Sequence, residues 1–139
     1  MFVLDTNIVS ELRKAKYGRA NSGVFDWAKA TPDHLMFISA LTLMEIQEGI
    51  LRVQHRGDTQ QAALLTQWLE HGVLPSFRGR VLPIDTHVAL LCARYHVPDR
   101  KCDRDALIAA TAQANGMTVV TRNEKDFCET GADILNPWV

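Results

Sequence analysis

Four acidic residues fall where strands should end and helices begin. Asp5 follows Phe2-Val3-Leu4, and Glu45 lies downstream of Leu35-Met36-Phe37-Ile38. Asp105 heads Asp105-Ala106-Leu107-Ile108-Ala109-Ala110-Thr111-Ala112, and Asp126 comes just after Thr118-Val119-Val120-Thr121-Arg122-Asn123. In an open parallel sheet, ligands bind in the crevice at the carboxyl ends of the strands. Carboxylates crowded into such a crevice repel one another. A hard divalent cation removes that cost, because Mg²⁺ prefers oxygen ligands and keeps waters that phosphates can replace. The pattern points to metal-assisted phosphodiester chemistry.

Each acid also has an ordinary explanation. Asp5 can begin a helix, Thr42-Leu43-Met44-Glu45 matches a capping box, and Asp103 and Asp105 suit the first turn of a helix. Asn123-Glu124-Lys125-Asp126 reads as a further cap with an acid three residues on. Capping acids should fall at random on both ends of a sheet, however, and here each of four strand-to-helix junctions carries one on the same side. Other chemistries lack their parts. No serine or cysteine nucleophile has a matching histidine, the histidines show no metal-ligand spacing, and no glycine-rich phosphate loop is present.

The elements that must position these acids alternate. Phe2–Leu4, Met36–Ser39, Val81–Ile84, Thr118–Thr121 and Asp133–Leu135 read as strands, the last as an edge. Helices are predicted from Asn7 to about Lys16, after a cap at Asn21 or Ser22, from Thr42 to about His55, around Ala62–Leu69, after Asp85, over Asp105–Asn115 and over Asn123–Phe127. That alternation predicts an α/β fold, a central parallel sheet of about five strands flanked by helices. Phe2, Val3, Leu4, Phe37, Ile38, Val81, Leu82, Val119 and Val120 should be buried in it. The hairpin of the third and fourth helices carries Ile46, Ile50, Leu51, Leu64, Leu65, Trp68 and Leu69, more apolar surface than a small domain readily hides.

The 139 residues suit one domain, 1–139, and a net charge of −1 gives no global basic signature for nucleic acid. Binding to RNA would rest on local basic residues. Arg13, Lys14, Lys16 and Arg19 follow the first junction, Arg100, Lys101 and Arg104 precede Asp105, and Arg122 adjoins Asn123. Three cysteines without a CxxC pair argue against a disulfide framework or zinc site. With no membrane-length apolar run and no signal-like start, the expected location is the cytoplasm, with no membrane contact.

The sequence resembles the PIN-domain family, and within it the VapC-type toxins of type II toxin–antitoxin pairs. The matching pieces are Leu4-Asp5-Thr6-Asn7, Glu45 in Ser39-Ala40-Leu41-Thr42-Leu43-Met44-Glu45-Ile46, Asp105 to Ala112, Val120 to Phe127 and Asn136-Pro137-Trp138. They occur in the family's order and span almost the whole chain. The resemblance implies a Mg²⁺- or Mn²⁺-dependent endoribonuclease, with metal and catalytic roles for Asp5, Glu45, Asp105 and Asp126. Asn7, Thr121 and Asn123 would orient the carboxylates or a water. It also implies a homodimer and a small, DNA-binding antitoxin as partner. Two rival readings exist. One is a PIN-like module that binds nucleic acid or protein without cutting. The other, a receiver-like phosphoacceptor, needs a lysine at the end of a late strand, where Thr118–Arg122 offers none.

Overall fold

The computed structural model describes all residues, 1–139. Five parallel strands, β1 (Phe2–Leu4), β2 (Met36–Ser39), β3 (Val81–Leu82), β4 (Thr118–Val120) and β5 (Ile134–Leu135), form one sheet in the order β3-β2-β1-β4-β5. The chain runs outward from β1 through β2 to β3, then crosses back to place β4 on the other side of β1. The strand order therefore reverses between β1 and β4, which is where an open parallel sheet forms its crevice at the strands' carboxyl ends.

The helices are α1 (Thr6–Arg13), α2 (Ser22–Ala30), α3 (Ala40–His55), α4 (Thr59–Trp68), α5 (Leu74–Ser76), α6 (Thr86–Tyr95), α7 (Asp103–Ala114) and α8 (Glu124–Phe127). They cover both faces of the sheet. Side chains alternate along a strand, so Leu4, Ile38 and Val120 face Ile8, Val9, Val24, Ile46 and Ile50 of α1 to α3. Val3 and Val119 face Ile108, Ala109 and Ala112 of α7 and Phe127 of α8. The opposite side of α7 presents Ala106 and Ala110 to Val88 and Cys92 of α6. Small residues on two sides let α7 lie between the sheet and α6, which fixes the position of its first turn and of Asp105.

Several boundaries differ from the sequence reading. The third strand stops at Leu82 rather than Ile84, because it pairs only with β2, through Ile38 and Ser39. Val81 and Leu82 are half-buried, as are Phe2 and Phe37, while the other predicted core residues are fully enclosed. Helix α3 begins at Ala40, not Thr42, since the Ser39 hydroxyl accepts the Leu41 N–H at 3.1 Å and caps it. α7 likewise starts two residues before Asp105, and α1 gives way after Arg13 to a 3₁₀ turn, Lys14–Tyr17. A π-helical stretch, Leu69–Val73, carries α4 into α5 and was not foreseen. The apolar hairpin proves largely internal. Ile46, Ile50 and Leu69 are buried and Leu65 and Trp68 half-buried, which leaves Leu51 and Leu64 exposed.

Phe127 is fully buried and pins α8 beneath Asp126 against α7 and the sheet. Phe127→Ala is expected to cost about 3–5 kcal/mol, read as a lowered urea midpoint with an unchanged slope.

Candidate active site

The last rung of the β1–β4 ladder builds the centre of the site. The Asp5 N–H donates to the Val120 carbonyl at 2.9 Å, one residue beyond β1, and the Thr121 N–H donates to Leu135 at 3.0 Å. Both residues are thereby held at the crevice, and their side chains meet. The Thr121 hydroxyl donates to Asp5 Oδ2 at 2.8 Å, while the Thr6 N–H donates to Asp5 Oδ1 at 2.7 Å. Thr121 Oγ1 in turn accepts the Asn123 N–H at 3.0 Å and the Asn7 side-chain amide at 3.4 Å. Asn7 Oδ1 accepts the Arg122 N–H at 3.5 Å. Asn7 and Thr121 thus act through side chains and Asn123 through its backbone.

Glu45 comes from the second turn of α3. Its Oε1 accepts the Thr6 hydroxyl at 2.7 Å, and Thr6 Oγ1 lies 3.2 Å from the buried Thr42 hydroxyl. One hydroxyl carries one proton, so Thr42 supplies the second hydrogen bond of the pair. Thr6 and Thr42 are the site residues the sequence reading did not single out. Thr6 sat in plain view inside Leu4-Asp5-Thr6-Asn7, and the spacing of Thr42 to Glu45 was taken by the capping-box pattern. With Ser39 as the cap, Glu45 has no capping duty.

Only one of the four acids caps a helix. Asp5 does cap α1 through Thr6. Asp105 and Asp126 sit in first turns whose cap positions, Cys102 and Asn123, make no side-chain capping bond, and neither acid fills that position. Asp103 faces elsewhere, with both its oxygens on the Arg100 guanidinium at 2.9 and 3.0 Å and His96 Nε2 at 3.5 Å.

Electrostatics tie the acids together. Asp5 is 5% exposed. Burial first, with the fields of Asp105 and Glu45 adding to it, pushes the carboxyl up to about 6 against the pull of the Thr121 and Thr6 hydrogen bonds. Asp105 is also raised, by burial first and then by the negative field of Asp126, with Glu45 adding to it and a hydrogen bond from Cys102 opposing. The carboxylates from β1's end, α3, α7 and α8 are therefore linked through Asp105, which acts on Asp5 and feels both Glu45 and Asp126.

Residues 2–133 match the family profile of the PIN domain. The chain belongs to the PIN-domain family. Among relatives of this PIN domain, the VapC ribonuclease Y4jK of Sinorhizobium fredii is 37% identical, over 99% of this chain and 98% of that protein. Toxin FitB of Neisseria gonorrhoeae is 30% identical over 99% of both chains. A crystal structure of FitAcB from Neisseria gonorrhoeae superposes with a TM-score of 0.88 at 30% identity, again over 99% of both chains.

The donor set of this PIN domain is all oxygen, which suits a hard cation. As the side chains stand, no three acidic, histidine or cysteine groups are gathered tightly enough to hold one ion. Asp5 and Glu45 are instead held by the threonines, and Arg104 approaches Glu45 Oε2 at 3.6 Å. Other candidate basic residues contact groups outside the four acids. Lys14 pairs with Glu11 at 3.1 Å and Lys101 with Glu129 at 2.7 Å. Arg13 lies over Trp68 and Arg122 over Trp138.

The raised Asp5 carboxyl has a stability consequence with a definite sign. Well below pH 4 the group is protonated whether the chain is folded or unfolded. As pH rises, the unfolded chain releases its proton near 3.8 and the folded one near 6, so the folded state loses ground through that window. The loss is on the order of 3 kcal/mol. In EDTA, the stability of the wild type minus that of Asp5→Asn is expected to fall by that amount between about pH 4 and pH 7. A difference that stays flat with pH would contradict the burial of an uncompensated carboxylate.

Proposed function

We propose that this PIN domain is a Mg²⁺- or Mn²⁺-dependent endoribonuclease, the toxin of a type II toxin–antitoxin pair, hydrolysing RNA phosphodiester bonds at Asp5, Glu45, Asp105 and Asp126. The observation that carries the reading is the linkage of four carboxylates through Asp105 at the β1–β4 strand-order reversal, with Asp5 buried and raised. Names of relatives, a VapC ribonuclease and a toxin, support it.

The divalent ion, held by those carboxylates, would supply Lewis acidity and a bound water of lowered pKa. The chain's own residues prepare the place. Each oxygen of Asp5 accepts one hydrogen bond from protein, so lone pairs remain for a ligand. Thr6 does two things at once, since its N–H fixes Asp5 and its hydroxyl fixes Glu45. Thr121 locks Asp5 from the neighbouring strand, and Asn7 holds the Thr121-to-Asn123 turn against α1. Arg13, Lys14, Arg100, Lys101, Arg104 and Arg122 surround the junctions, and those near the crevice would meet RNA phosphates after exchanging their present partners.

The partner would be a small, DNA-binding antitoxin, in keeping with a structure of FitAB bound to a DNA fragment, 29% identical to this chain with a TM-score of 0.84. The free toxin would be a homodimer. The exposed Met44, Leu51 and Leu64 of the α3–α4 hairpin are the large apolar residues it leaves for such contacts. No helix is long and apolar enough to cross a membrane, and a cytoplasmic site of action fits an RNA substrate.

Cleavage of bulk cellular RNA is expected with Mg²⁺ or Mn²⁺ and not in EDTA. Asp105→Asn should reduce it by roughly two orders of magnitude or more while the fold persists. RNA bound but never cut under any metal would favour the non-cleaving module. Light scattering on the free protein is expected to give twice the 15.6 kDa chain mass, and a monomer would count against the dimer. Co-expression with a small protein encoded beside the toxin should yield a co-purifying, inactive complex.

A further inference from the structure

Arg104 stands apart from every other basic residue near the crevice. It occupies the second position of α7, next to Asp105, and it alone pairs with one of the four site carboxylates. Its guanidinium spans two acids one turn apart on α3. Nη2 lies 2.8 Å from Glu48 Oε2, and Nη1 lies 3.6 Å from Glu45 Oε2. Glu48 is held on its other oxygen by Arg52 at 2.6 Å. Glu45 is therefore occupied on both oxygens, by Thr6 on one and Arg104 on the other. A cation that takes Glu45 repels the neighbouring guanidinium, and at 3.6 Å Arg104 is also the looser of the two contacts. The displaced guanidinium is still tethered by Glu48 at the edge of the crevice, with its side chain 44% exposed. Its planar fork of donors matches a phosphate, and a phosphodiester approaching four carboxylates needs such a donor.

Resting on the ribonuclease reading, we propose that Arg104 is a transferable counter-ion: it neutralises Glu45 in the metal-free site and moves to the RNA phosphate when a divalent cation takes Glu45. Glu48 is the anchor about which it swings. Metal binding and substrate binding are then coupled through one side chain, because the ion that occupies Glu45 also frees the group that receives RNA.

Two measurements on Arg104→Ala test this, with Arg94→Ala on the exposed part of α6 as a control for net charge. Mn²⁺ titration of EDTA-stripped protein by calorimetry should show Arg104→Ala binding the ion about two- to fivefold more tightly than wild type. Anisotropy of a labelled mixed-sequence single-stranded RNA, with Ca²⁺ replacing the catalytic ion, should show it binding RNA about tenfold more weakly. Its salt slope should be smaller by about 0.7. Arg104→Lys should recover part of the RNA affinity but not the bidentate geometry. Arg94→Ala should match wild type in both assays. Unchanged Mn²⁺ affinity in Arg104→Ala, or unchanged RNA affinity, overturns the proposal. A wild type that cuts no RNA and binds no Mn²⁺ would instead overturn the ribonuclease reading.

Discussion

Asp5 is a carboxylate buried at the one place in the parallel sheet where the strand order reverses, between β1 and β4. The rest of the site is arranged around the cost of keeping it there. The β1–β4 ladder carries it into the crevice, and the Thr121 hydroxyl and Thr6 N–H are the groups that make its burial tolerable. Those bonds lower its pKa, yet burial and the neighbouring acids outweigh them. A fold whose stability alone mattered would gain from an apolar residue here. Keeping an acid that resists ionisation is the mark of a site whose cost is offset by a ligand.

Glu45 shows the same logic with a different partner. Thr6 bridges the two acids, with its backbone on one and its side chain on the other, so the carboxylates of β1 and α3 are positioned by a single residue. Asp105 and Asp126 enter from the other face, where α7 is wedged between the sheet and α6 by small side chains and α8 is anchored by Phe127. Packing on both faces thus converges on one electrostatic problem. Arg104 is the one cation that shares in it.

The sequence displayed the strand-to-helix junctions clearly, because short β-branched and apolar runs ending in Asp5 and Thr121 have few other uses. Caps at Asn21 and Asp85 were readable for the same local reason, and each accepts the backbone N–H groups expected of it. What escaped was whatever depends on a distant partner. Val81–Ile84 looked like a full strand, but only two residues find a neighbour on β2. The Thr42-to-Glu45 spacing satisfied a local rule while both side chains answered to Thr6, thirty-six and thirty-nine positions away. The π-helical stretch at Leu69–Val73 has no pattern of its own. The apolar α3–α4 hairpin looked exposed because burial under α1 and the sheet is invisible in periodicity. The basic residues near Asp105 read as one group, and only the geometry separates Arg104 on Glu45 from Arg100 on Asp103.

The central claim is that these four carboxylates form one cation site at the strand-order reversal. Anomalous diffraction from crystals soaked in Mn²⁺ tests it most directly. A peak is expected between the carboxylates of Asp5 and Asp105, with Arg104 withdrawn from Glu45. A peak elsewhere on the surface, or none at saturating Mn²⁺, would contradict it.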